Sequence, residues 1–221
     1  MQQRGANNAS VDYFKITVKG RGAHVSNPEK GIDALFVASE IVVSAQALVT
    51  RRTNPTDSVI IGIGKLEAGT AYNIVAKSAV LEGTIRVMYP EIRKQVKSKL
   101  ESLAKGIASI YGAEAEIEYK DFTSPLINPV DTTKEVAIVA KRLLGEENVI
   151  TNRPYSLGGD DFAEFNLRVP GTYVYVGSGN ENNPNTMVAH HDGLFEIDED
   201  CLLIASRLHV AYALSFLENL I

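Results

Sequence analysis

Apolar and polar residues alternate over 11–19, VDYFKITVK: Phe14, Ile16 and Val18 fall on one side, and Tyr13, Lys15, Thr17 and Lys19 on the other. A period of two predicts a half-buried strand. The loop GRGAHVSNPEKG follows, punctuated by three glycines and a proline. Over 32–51 the period lengthens; Leu35, Ala38, Ile41, Val42, Ala45, Leu48 and Val49 recur at helical spacing until Asn54-Pro55. The β-branched run 58–66 predicts a second strand, with a short one around Asn73–Val75 and a longer one over 79–88. In the last of these Leu81, Ile85 and Val87 share one face, and Glu82, Thr84 and Arg86 the other. Pro90 suits the first position of a helix to about Tyr111, marked by Ile92, Val96, Leu100, Leu103, Ile107 and Ile110. Strict alternation returns over 114–121.

Strand, helix, strand, strand, helix, strand is a split βαβ, ferredoxin-like order, with two helices on one sheet face and the other face wetted. Such a sheet keeps edges open to pairing with a second copy. Thr123–Pro129, TSPLINP, has two prolines and no period, and reads as a domain boundary. Beyond it the pattern predicts a helix over 131–144 (Asp131 as N-cap, Gly145 as C-cap) and a strand at Asn148–Thr151. A glycine turn into a short helix follows over 156–165, with Asp161 a candidate cap, then an apolar strand over 171–177. The last helix runs from Asp198 to about Leu220. Two strands in about 95 residues make a poor independent core, so this part is expected to be covered by something else.

Composition narrows the function classes. The 221 residues are 45% hydrophobic and 22% charged, ordinary for a globular protein, and the net charge of −5 offers nothing to nucleic acid or an anionic membrane. An RNA-binding role for the sheet would also need aromatic stacking positions and basic charge, which are absent. No unbroken apolar run approaches the ~18 residues of a bilayer span, and MQQRGANNAS does not read as a secretory signal. One cysteine, Cys201, excludes an internal disulfide framework and points to the cytoplasm. It lies on the apolar side of the last helix, as a small buried hydrophobe.

Candidate chemistry concentrates in MVAHHDGLFEIDED, 187–200. Neutral imidazole is the commonest zinc ligand, so His190 and His191 are a candidate metal element, although these residues alone favour a polar loop. GRGAHVSNPEKGIDAL, EAGTAYNIVAKSAVLEGTIR, SLGGDDFAEF, VPGTYVYVG and HHDGLFEIDED then occur in the order and spacing of one family. Over residues 5–221 the chain resembles the zinc-dependent aminoacylase and carboxypeptidase metallopeptidases. It is nearest the amidohydrolases of N-acyl amino acids, hippurate and indole-acetyl amino acids.

The resemblance implies a ferredoxin-like lid that dimerises (11–122), followed by the C-terminal portion of an α/β metal-dependent catalytic domain (123–221). It implies a homodimer acting on small N-acyl amino acids or amide conjugates with two divalent ions, zinc or else manganese or cobalt. By the same resemblance His191, four residues before Phe195, is preferred to His190 as the metal ligand. His24 becomes the lid histidine that reaches a neighbouring subunit's site and stabilises the oxyanion. Asn73 and Arg86, 13 apart, bind the substrate carboxylate. Gly158 and Gly159, with Asp160, form a turn beside the metals, where missing side chains permit close approach.

The family's Cys-x-His-Asp motif, its strand-ending Glu-Glu pair with the general base, and a further histidine have no counterpart in the sequence. Glu146-Glu147 follows a helix and reads as surface, and His209 as packing. The expectation is therefore a chain that alone binds no metal and hydrolyses nothing. The alternative is a non-catalytic dimerisation or interaction module.

Overall fold

The computed structural model describes residues 5–218. The signal-peptide reading of the N-terminus falls partly, and the expected helix end near Leu220 wholly, outside the described residues. The chain divides into two compact units, Met1–Ile127 with Tyr155–Arg168, and Asn128–Pro154 with Val169–Ile221.

The first unit holds β1 (Ala6–Asn8), β2 (Val11–Lys19), α1 (Ala34–Arg52), β3 (Val59–Ala68), β4 (Ser78–Val87), α2 (Pro90–Ile110), β5 (Glu114–Thr123) and β6 (Leu126–Ile127). Its main sheet has the order β3-β4-β2-β5 with every neighbour antiparallel, the split βαβ order expected. Phe14, Ile16 and Val18 of β2 and Leu81, Ile85 and Val87 of β4 are buried under α1 and α2. Full burial of such a side chain stabilises by about 1.5–3 kcal/mol.

Asp33 starts α1 by accepting hydrogen bonds from the Leu35 and Phe36 amides at 2.9 and 3.3 Å. The core side of α1 is Ala34, Val37, Ala38, Ile41, Ala45 and Leu48, whereas Leu35 is exposed. On α2 the buried stripe is Val96, Leu100, Ala104 and Ala108, and Ile110 lies outside it. Small residues on both helices let α1 and α2 pack closely.

Several expectations are corrected. Asn73–Val75 is not a strand; only Ile74 pairs, with His24. The boundary peptide, in which no period was read, pairs as β6 with β1 of the N-terminal stretch, and Asn8 bridges Ser156 in parallel. Two- and three-residue strands carry too little period to be seen in sequence.

α4 (Phe162–Asn166) completes the first unit. Asp161 is its N-cap residue, as expected, but makes no side-chain cap bond; the Asp160 carboxylate instead accepts from the Phe162 amide at 2.9 Å.

The second unit contains α3 (Val130–Leu144) and α5 (Asp200–Leu217), which meet at Val139, Ala140 and Leu208. Pro129 rather than Asp131 is the N-cap of α3; Gly145, with φ of 89°, ends the helix as expected. Asn148–Thr151 is not a strand, following a 3-10 turn over Glu146–Asn148. Nor are 171–177, where the expected ladder is replaced by one side chain. The Tyr173 amide donates to Asn128 Oδ1, and Asn128 Nδ2 donates to the Tyr173 carbonyl, both at 2.9 Å.

By length and composition α1 and α5 would each suffice to cross a membrane. Neither is an unbroken apolar run, because polar residues are interspersed in both. α1 is the core helix of its unit. On α5 only Leu208 is buried, and Leu202, Leu203, Val210 and Leu214 are exposed.

Candidate active-site elements

His24 is exposed on the loop after β2. The loop is closed at its base by mutual Arg21–Ile32 backbone bonds of 2.8 and 2.9 Å. Gly20 permits this crossing, since a Cβ there would stand 2.2 Å from the Ile32 carbonyl oxygen. The Ser26 amide donates to His24 Nδ1 at 3.2 Å, and Ser26 Oγ lies 2.7 Å from the same nitrogen. An amide can only donate, so Nδ1 accepts and the neutral ring carries its proton on Nε2. Sequence reading did not identify Ser26; the short polar neighbour two residues on was the available signal.

Asn73 sits beside this histidine. Its carbonyl accepts from the Val25 amide at 3.1 Å, and the Ala23 carbonyl accepts from the Val75 amide at 2.9 Å. Both residues thus lie where β2 ends and β4 begins, because Lys19 pairs with Ser78.

Arg86 is at the other end of β4. The two ends are separated by about 25 Å of strand at ~3.3 Å per residue. The expected carboxylate-binding pair, Asn73 with Arg86, is therefore not brought together within one chain. Arg86 instead donates from Nη1 to the Leu157 carbonyl at 3.0 Å, beside the expected glycine turn. In that turn Gly158 donates to Ser156 Oγ at 3.0 Å. Gly159 lies so close to β2 that an added Cβ would meet Val11 Cγ2 at 2.3 Å. Tyr155, just before the turn, has its hydroxyl 2.6 Å from Ser58 Oγ.

A buried ionic network lies at the same end of the sheet. Asp12 is 0% exposed. It takes a fork from Arg93 (Nε to Oδ2 at 2.8 Å, Nη2 to Oδ1 at 2.7 Å) and a contact from Lys97 at 2.7 Å. Lys97 also bonds Asp121, and this holds the Asp121 carboxyl below the usual carboxylate range. The Ser124 amide donates to Glu164 at 2.9 Å, and the Ser124 bonds lower that carboxyl too. The hydrogen bond to Asp12 keeps Arg93 firmly cationic.

In the second unit the histidine pair separates into two environments. The His190 ring packs edge-on against Phe195, centroids 4.8 Å apart. His191 has φ of 71°, the only positive φ outside glycine among the described residues. Among the described residues no three His, Cys, Asp or Glu side chains gather to hold a metal ion, so His191 is not part of such a group. Cys201 is half-buried rather than buried.

Residues 8–111 match the peptidase dimerisation domain of the M20 peptidases. The chain is 32% identical over 212 residues to the N-acetylcysteine deacetylase of Bacillus subtilis, covering 96% of this chain and 53% of the relative. It is 30% identical over 216 residues to IAA-amino acid hydrolase ILR1-like 4 of Arabidopsis thaliana, covering 96% of this chain and 49% of that protein. A solved structure, the Bacillus subtilis YXEP protein, described as a dinuclear metal-binding peptidase of the M20 family, superposes with a TM-score of 0.78 at 29% identity. The superposition covers 98% of this chain and 52% of that one. The chain spans about half the length of the curated relatives it matches. Fold and loops together define a ferredoxin-like peptidase dimerisation domain followed by part of an α/β catalytic domain. Beyond the dimerisation domain, the chain is similar to proteins named as an amidohydrolase, a deacetylase and a carboxypeptidase.

Proposed function

We propose that this chain supplies the lid and part of the catalytic region of a metal-dependent amidohydrolase that cleaves N-acyl amino acids or small amide conjugates. The observation that carries the reading is the placement of His24 with Asn73 at one end of β4 and Arg86 with the glycine turn at the other. A single copy cannot direct all of them at one substrate; two copies can. Each site would take Arg86, Gly158 and Gly159 from one copy, holding the substrate carboxylate, and His24 and Asn73 from its partner. His24 Nε2–H would then face the scissile carbonyl and stabilise the oxyanion.

The second copy fits best along β3 and α1. The β5 edge is guarded by Glu114, Glu116, Glu118 and Lys120. On the β3 side Ile60 and Leu66 are exposed, and Val43 of α1 is 71% exposed. Sedimentation at tens of micromolar should give a dimer, and Val43→Glu a monomer. A monomeric wild-type chain would sink this reading.

Zinc, or else manganese or cobalt, is the metal we assign, with His191 as one ligand. The described residues do not complete a ligand set. Accordingly, the 221 residues alone, with these ions added, should not hydrolyse N-acetyl or N-benzoyl amino acids. Metal-dependent turnover that tracked the purified chain would mean that these residues hold a complete ligand set. The uncompleted ligand set also favours the alternative of a dimerisation module without catalysis. The cytoplasm is the compartment we assign, from cysteine usage alone.

A further inference from the structure

We propose that Asn180, Thr186 and Asp198 are positioning residues that fix the backbone of His191; the inference rests on the reading of His191 as a metal ligand. The Asn-rich stretch 180–185 reads as low complexity, yet it is tightly hydrogen-bonded. Thr186 is 7% exposed. Its hydroxyl accepts from the Asn180 amide at 2.8 Å and donates to the Asn183 carbonyl at 2.8 Å. Asn180 Nδ2 donates to Asp198 Oδ2 at 2.6 Å, while Asp198 Oδ1 accepts from the Asp200 amide at 3.0 Å. Asp198 thereby joins the loop to the first turn of α5, a rigid element.

The His pair sits on an excursion, 187–195, that leaves and returns at this clamp. The Glu196 amide donates to the Asn185 carbonyl at 3.2 Å, and Asn183 Nδ2 to Glu196 Oε2 at 2.9 Å. A left-handed non-glycine residue is strained and persists only where its surroundings over-determine it. Within the excursion the Asp192 amide donates to the Ala189 carbonyl at 3.2 Å, and the Leu194 amide to Asp192 Oδ1 at 2.9 Å. These turns shape the tip, and the Thr186 clamp fixes where the tip begins and ends.

The test uses the 221-residue chain with Thr186→Val, Asn180→Ala and, as the conservative variant, Thr186→Ser. The readout is the strong intraresidue amide–α-proton NOE that a positive φ produces at His191. It should persist in the wild type and in Thr186→Ser and vanish in Thr186→Val and Asn180→Ala. Exchange of the Glu196 amide should become faster on the order of tenfold, with α3 and α5 amides unchanged. A His191 NOE that survives Thr186→Val overturns the proposal. So does loss of α3 and α5 protection in both variants, because the residues would then hold the unit together rather than position one side chain. A titration with zinc alone, followed at the imidazoles, tests the underlying reading separately. First perturbation at His191 supports it; first perturbation at His24, His190 or His209 removes the ligand role and leaves the NOE to judge the geometry.

Discussion

Single residues at the Arg86 end of the sheet carry sharp consequences. Gly159→Ala would drive a methyl group into Val11 and should destabilise the first unit by about 1–3 kcal/mol, measured by urea unfolding. Val11→Ala in the same chain should return most of the loss. Arg93→Ala leaves the buried Asp12 with Lys97 as its remaining cationic partner and should cost about 3 kcal/mol, the low end for a broken buried pair. Asp121 and Glu164 have depressed folded-state values. Their contribution is therefore fully present above the unfolded carboxylate range, about 4, and lost as pH falls through the lower folded values. Stability of the first unit should fall in acid, and Asp121→Asn should flatten that fall. Salt should weaken the Asp121 effect, because its side chain is 59% exposed.

At the scale of elements, period made the main sheet and its two helices legible: β2 alternates almost without fault, and α2 holds its spacing for five turns. The failures have physical causes. Asp12 occupies an inward position of β2 that alternation assigns to an apolar side chain, and the fork from Arg93, 81 residues away, together with Lys97 makes it tolerable. Residues 171–177 have the composition of a buried strand, but a strand is defined by its neighbour, and here the neighbour is the amide of Asn128. Asp161 is the N-cap of α4, but the carboxylate that meets the Phe162 amide belongs to Asp160, a distinction that two adjacent aspartates do not reveal as text. Of the candidate site, the residue types were legible and their grouping was not. A separation of 13 in sequence says nothing about which ends of a strand two residues occupy.

At the scale of the whole molecule, the placement of those groups has a genetic consequence. If each site draws His24 from one copy and Arg86 from the other, two inactive forms of the active protein can repair each other. A copy lacking His24 still offers Arg86, and a copy lacking Arg86 still offers His24. When the two are mixed and allowed to re-pair at random, half the dimers are hybrids, and each hybrid carries one intact site beside one doubly defective site. About a quarter of full activity should return, with a substrate KM like that of the wild type. Two defects at residues that shared one copy's site would give no such recovery, so allelic complementation distinguishes a composite site from a self-contained one.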